Sequence, residues 1–226
     1  MAPTPQSLAL IGDVHARLDA LTAVLDAIAA ANIPTGLCTG DVVMRGPEPA
    51  LCIARIRELG WPTVVGNTDR KVAAGSPRPR SHPASGRIGS RSWTYRELDA
   101  DDLAWLAALP TLVRLSFGGA RVVVIHGDAD SLLYPITAET SNRDVERQLR
   151  KLEADLLVLG HTHVAMIRTV RNGTVINPGA VGESRTSDWQ PHWAWLEATP
   201  EGVVPHLEVV RTPLAPQRDD DGAAED

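Results

Sequence analysis

"IGDVHARLDALTAVLDAIAAA", residues 11–31, joins an apolar run to a long alanine-rich segment through a turn that holds an aspartate and a histidine two residues apart. Residues 7–11 (SLALI) read as a short buried strand, and Leu18, Leu21, Val24, Leu25 and Ile28 recur at helical spacing. Asp13 and His15 therefore stand at the carboxyl end of a strand, where open α/β sheets bind their ligands.

The same pattern recurs along the chain. "GLCTGD" ends a second apolar run at Asp41, and "PTVVGNTD" ends a third beside Asn67. "RVVVIHGD" sets His126 behind four β-branched residues, and "ADLLVLGHTH" sets His161 and His163 behind another buried run. Helical patterns over 16–31 and 47–59 separate the first strands, which predicts a βαβαβ unit and a mostly parallel sheet. "GTVINPGAVG", "HWAWLEAT" and "GVVPHLEVV" alternate as antiparallel strands do. "SWTYRELDADDLAWLAALP" contains the acids of a helix N-terminus.

With 226 residues and 43% hydrophobic content the chain can bury one sizeable core, and no low-complexity break divides it, so one domain over 1–216 is expected. Cys38 and Cys52 form no CxxC pair and read as small core residues. No basic-then-apolar leader and no membrane-length apolar run is visible, so a cytoplasmic protein without membrane association is expected. The net charge of -6 is uneven. Residues 217–226 hold five acids and one Arg and read as a disordered acidic tail, whereas residues 70–91 hold six Lys or Arg and no acid and read as a mobile basic loop. Arg78 and Arg80 in that loop are expected to steer anionic substrate.

Taken singly, an Asp after a strand reads as a cap, and a His after an apolar run as a hydrogen-bonded rim residue. Independent capping does not account for five strand ends that deliver Asp13, His15, Asp41, Asn67, His126, His161 and His163 to one side of a sheet. Imidazoles, carboxylates and an amide oxygen suit Mn²⁺, Fe or Zn²⁺. Seven donors exceed the needs of one four-coordinate ion, so two ions are expected, with Asp41 able to bridge them.

These motifs resemble those of the calcineurin-like metallophosphoesterases: "GDVHA" (12–16), "GDVVMRGP" (40–47), "GNTD" (66–69), "HGD" (126–128) and "GHTH" (160–163), in the family's order. "NPGAVGESR" (177–185) is more similar to the small bacterial and archaeal phosphodiesterase branch than to the protein serine/threonine phosphatases. The resemblance implies a four-layer αββα sandwich with two central mixed β-sheets and the metal site at the strand carboxyl ends. It also implies that Asp13, His15 and His163 bind one ion, that Asn67, His126 and His161 bind the other, and that Asp41 bridges. Two divalent ions, Mn²⁺ first and Fe or Zn²⁺ by the same donors, are the expected cofactors.

The expected activity is that of a phosphodiesterase on small phosphodiesters or cyclic nucleotides, through in-line attack of a metal-bridging hydroxide. Asp41 and Asn67 would act through the ions, and Arg45 would offer a cation to the equatorial oxygens. Two departures bear on proton transfer. Relatives with an efficient general acid have a histidine where this chain has Thr68, and an orienting aspartate where it has Met44. General acid catalysis is typically worth ~10² to 10⁴-fold, so its loss favours activated leaving groups, with Asp69 or a metal-bound water as substitute donor. A smaller departure is Ala16 in place of the usual glycine, expected only to narrow the first turn. Two other functions are weighed: a metal-stabilised interaction scaffold with little turnover, and a phosphomonoesterase or protein phosphatase. Polymeric nucleic acid ranks behind a small diester as partner, because one loop supplies few phosphate contacts.

Overall fold

The computed structural model describes residues 6–75, 86–185 and 189–212. The element order is β1 (Gln6–Ile11), α1 (Leu18–Ala30), β2 (Gly36–Cys38), α2 (Pro49–Leu59), α3 (Asn67–Ala73), α4 (Arg91–Glu97), α5 (Ala100–Ala108), β3 (Val113–Phe117), β4 (Ala120–Val124), α6 (Asn142–Leu152), β5 (Leu156–Val158), β6 (Met166–Val170), β7 (Gly173–Asn177), β8 (His192–Thr199) and β9 (Gly202–Val209). Two mixed sheets result, one in the order β2-β1-β8-β9 and one in the order β3-β4-β5-β7-β6.

Strand alternation explains the layering. In β1, Leu8 and Leu10 point into a cluster with Leu37, Ala194 and Leu196 of their own sheet and Val122, Val124, Val158 and Ile176 of the other. Their neighbours Ala9 and Ile11 point the opposite way, against Leu21, Val24 and Ile28 of α1 and Ile53 and Ile56 of α2. In the second sheet Val123, Leu157 and Val175 face outward onto Val145, Leu149 and Leu152 of α6. A one-residue register slip would exchange these faces, so the burial pattern fixes the pairing. The result is four layers: helices, sheet, sheet, helix.

Three expectations change. The first sheet is not mostly parallel: β1 pairs with β2 in parallel but with β8 antiparallel. The "HWAWLEAT" strand, β8, lies on the edge of β1 opposite β2. The "PTVV" run shrinks to one parallel bridge, Cys38 with Thr63, because Val65 N–H already bonds Pro110 O at 2.8 Å and turns away. Residues 70–73, read as loop, complete α3. Arg78 and Arg80, and the acidic tail 217–226, lie outside the described residues. No helix among the described residues is long and apolar enough to cross a membrane.

Candidate metal centre

The turns after β1 and β2 are fastened to each other by main-chain bonds from Asp13 N to Gly40 O (2.9 Å), His15 N to Asp41 O (3.0 Å) and Ala16 N to Val42 O (2.9 Å). Asp13, His15, Asp41, His161 and His163 all adopt left-handed backbone, with φ between 49° and 72°. For a side-chain-bearing residue that conformation costs about 1–2 kcal/mol, somewhat less for Asp and His, and it persists where the surroundings over-determine it. Ala16, the departure from glycine, is also left-handed at φ 55° and fully buried. Close approach completes the frame. A Cβ on Gly66 would lie 2.0 Å from Asp41 Oδ1, so glycine lets the third turn sit against the second.

The seven expected side chains converge. Donor atoms of Asp13, His15, Asp41 and His163, all buried, lie within 4.8 Å of one another. His15 Nε2 and His163 Nε2 face each other at 3.0 Å, and His163 Nε2 is 3.4 Å from Asp13 Oδ1. On the other side, Asn67 Oδ1 lies 3.0 Å from His126 Nε2 and 2.9 Å from His161 Nδ1. Asp41 Oδ2 stands between the groups, 3.7 Å from His15 Nε2 and 3.4 Å from His126 Nε2.

The surrounding residues set which atoms face inward. His126 Nδ1–H donates to Thr39 O (2.8 Å) and His163 Nδ1–H to Glu183 O (2.9 Å), which leaves each Nε2 lone pair for the centre. His161 Nε2–H donates to Leu133 O (3.2 Å), which leaves Nδ1. Thr68 N–H donates to Asp41 Oδ1 (2.8 Å), so Oδ2 is the oxygen presented. Opposed lone pairs on His15 and His163 repel unless a proton or a cation lies between them. Two buried carboxylates, four imidazoles and an amide oxygen therefore fit divalent cations.

Protonation follows the same logic. Burial and the neighbouring His163 hold His15 well below the ordinary histidine pKa, and burial with His126 lowers His161. Burial alone would also lower His126, but the Asp41 carboxylate overrides it and raises the group to about 9. Asp13 does the same, more weakly, for His163.

Three residues singled out in the sequence have placements of their own. Asp69 is fully buried: Oδ1 accepts Val42 N–H (2.8 Å) and Val43 N–H (3.2 Å), and Oδ2 accepts Gly66 N–H (2.9 Å). That is the geometry of a pin beneath the Asp41 turn, not of a proton donor open to a substrate. Burial and the Asp41 charge push its pKa up to about 7. Thr68 is also buried, and its hydroxyl donates to Val43 O (2.9 Å). Arg45, left-handed at φ 71°, forms an ion pair with Glu183.

Sequence reasoning missed Thr39 and Glu183, whose backbone carbonyls orient His126 and His163, and the work done by Asn177. Asn177, buried at the end of β7, donates from Nδ2 to Gly160 O (2.8 Å) and Thr162 Oγ1 (3.0 Å) and accepts Gly179 N–H (2.9 Å). It thereby braces the "GHTH" turn. Its signal was its place after a strand, like the other donors.

A family model described as the calcineurin-like phosphoesterase superfamily domain matches residues 7–199. An uncharacterised protein of Methanocaldococcus jannaschii is 28% identical, the match covering 79% of this chain and 77% of that protein. A metallophosphoesterase from Sphaerobacter thermophilus superposes with TM-score 0.73 and 27% identity, over 91% of this chain and 89% of its own. Two more distant structures share the fold. An archaeal phosphodiesterase has TM-score 0.53 and 15% identity over 90% of this chain and 99% of its own. Vacuolar protein sorting 29 from Cryptosporidium parvum has TM-score 0.54 and 16% identity over 91% and 97%.

Proposed function

Because the chain belongs to the calcineurin-like phosphoesterase superfamily, we propose that it is a phosphodiesterase that uses two divalent cations, Mn²⁺ first, to hydrolyse small phosphodiesters, cyclic nucleotides among them. The observation that carries this reading is the position of Asp41 Oδ2, within 3.7 Å of His15 on one side and 3.4 Å of His126 on the other. Asp13, His15 and His163 would hold one cation, Asn67, His126 and His161 the other, and Asp41 both. Bound cations would supply Lewis acidity, lowering the pKa of water and neutralising phosphoryl oxygens.

The chain's own residues set the rest. Left-handed turns fixed by main-chain bonds hold the donors in place, so little reorganisation is needed on binding. Arg45, held by Glu183, brings a guanidinium whose charge is felt at His15 and His163, and would offer it to phosphoryl oxygens. Neither Thr68, whose hydroxyl is committed to Val43 O, nor Asp69, beneath the turn, is open to protonate a departing oxygen. That favours esters whose leaving group departs unassisted, and disfavours alkyl monoesters.

The test is a leaving-group series on manganese-loaded protein. Rates on aryl diesters are expected to fall steeply as leaving-group pKa rises, with a nitrophenyl diester far ahead of an alkyl one. Thr68→Val should leave that slope unchanged, because the hydroxyl takes no part. A flat wild-type slope would overturn this account of proton transfer. Absence of turnover on every diester with metal bound would favour the scaffold reading instead.

A further inference from the structure

After the His126 turn, residues 128–131 and 133 are each held by a main-chain hydrogen bond. Asp128 N–H donates to Ser131 O at 2.8 Å, and Asp128 Oδ1 accepts Asp130 N–H (2.8 Å) and Ser131 N–H (2.7 Å). Leu133 N–H donates to Ser131 Oγ (3.0 Å). From α6, Gln148 Oε1 accepts Ala129 N–H (3.1 Å) and Lys151 pairs with Asp130. Leu132 is turned inward, and the loop lies so close to its root that a Cβ on Gly127 would be 2.4 Å from Ser131 O.

This rigid support presents apolar side chains to water. Leu133 is 59% and Tyr134 67% exposed. Fully burying side chains of this kind is worth roughly 1.5–3 kcal/mol each, so folding alone gives no reason to build so braced a loop around exposed ones. Its position supplies a reason. Leu133 O accepts the Nε2–H of His161 at 3.2 Å, which sets the loop against a candidate metal ligand, and the exposed Val164 directly follows His163. Residues 127–137 contain no Lys or Arg and two Asp, so the surface does not suit the phosphates of a polymer.

Resting on the phosphodiesterase reading, we propose that Leu133 and Tyr134 form a recognition platform for the organic group of the substrate, and that the substrate class is a small phosphodiester carrying a nucleobase or another aryl group. Stacking on one exposed aromatic residue is sequence-tolerant, so the platform selects a flat group rather than a particular base. Because the loop leading to Tyr134 is already ordered by its own hydrogen bonds, less conformational freedom is lost on binding than for an unbraced loop.

Calorimetry on the manganese-loaded full chain tests this with two probes, a nucleoside monophosphate and inorganic phosphate. Wild type is expected to bind the nucleotide roughly ten- to hundredfold more tightly than phosphate, the range that stacking on one aromatic supplies. Tyr134→Ala should erase most of that preference and leave phosphate affinity unchanged, and Tyr134→Phe should retain it. No preference in wild type, an undiminished preference in Tyr134→Ala, or an equal loss of both ligands in Tyr134→Ala would each overturn the platform. Turnover measured in parallel separates the two readings. A nucleotide preference that disappears in Tyr134→Ala, in a protein that hydrolyses no diester, would sustain the platform and refute the phosphodiesterase reading.

Discussion

Asp69 shows how a buried carboxylate can brace a candidate metal centre through main-chain N–H groups alone. Its oxygens are the acceptors for three buried main-chain N–H groups, two of them directly after Asp41. Leaving a buried donor unsatisfied costs about 1–3 kcal/mol, so Asp69→Ala is expected to destabilise the fold by about 3 kcal/mol or more. Asp69→Asn, which keeps one acceptor oxygen, should lose less. Both should weaken manganese binding, because the Asp41 turn loosens, and urea unfolding with metal titration measures both effects. Unchanged stability with a selective loss on poor leaving groups would restore the proton-donor role. Met44 adds a related point. Its side chain packs against the apolar cluster between the first sheet and its helices, so an aspartate at this position would be desolvated.

At the scale of elements, the site is a set of turns at strand ends braced by neighbouring strands. Asn177 at the end of β7 holds the turn after β5, which carries two of the candidate ligands. Asn177→Ala is expected to cost about 2 kcal/mol or more in stability, from the buried groups left unpaired. It should weaken metal binding roughly 10- to 100-fold, as loss of an outer-sphere support typically does. A variant with wild-type metal affinity would show that the turn holds its shape alone. The seven converging side chains were legible in the sequence because each follows an apolar run, and side-chain chemistry names a donor. The partners that orient them were not legible where they are main-chain carbonyls, as at Thr39 and Glu183, since any residue type offers one. The alternation of "HWAWLEAT" marked an antiparallel strand, but not that its partner would be β1, because partner and register are tertiary choices. The helical start at Asn67 was obscured by the following basic stretch. Asp69 accepting Gly66 N–H fixes that start.

For the whole molecule, two packed sheets form a scaffold on which several strained turns can be tolerated together. At about 1 kcal/mol or more each, five left-handed donors consume a sizeable part of the 5–15 kcal/mol typical of a folded domain. Metal loading should return stability: about 2.7 kcal/mol at a free ion concentration one hundred times Kd, seen as a raised melting temperature. The sign of its pH dependence follows from His126 and His163. Both have raised pKa values without a cation, so ions must displace protons, and loading should release protons and weaken as pH falls from about 9. Affinity that rises on acidification would contradict the ligand set.

If one oxygen of Asp41 serves two cation sites, metal analysis of wild type and Asp41→Ala will show it. Two manganese ions per wild-type chain, with both tight sites and turnover lost in Asp41→Ala, is the predicted result. One ion per wild-type chain, or full turnover in Asp41→Ala, would contradict it.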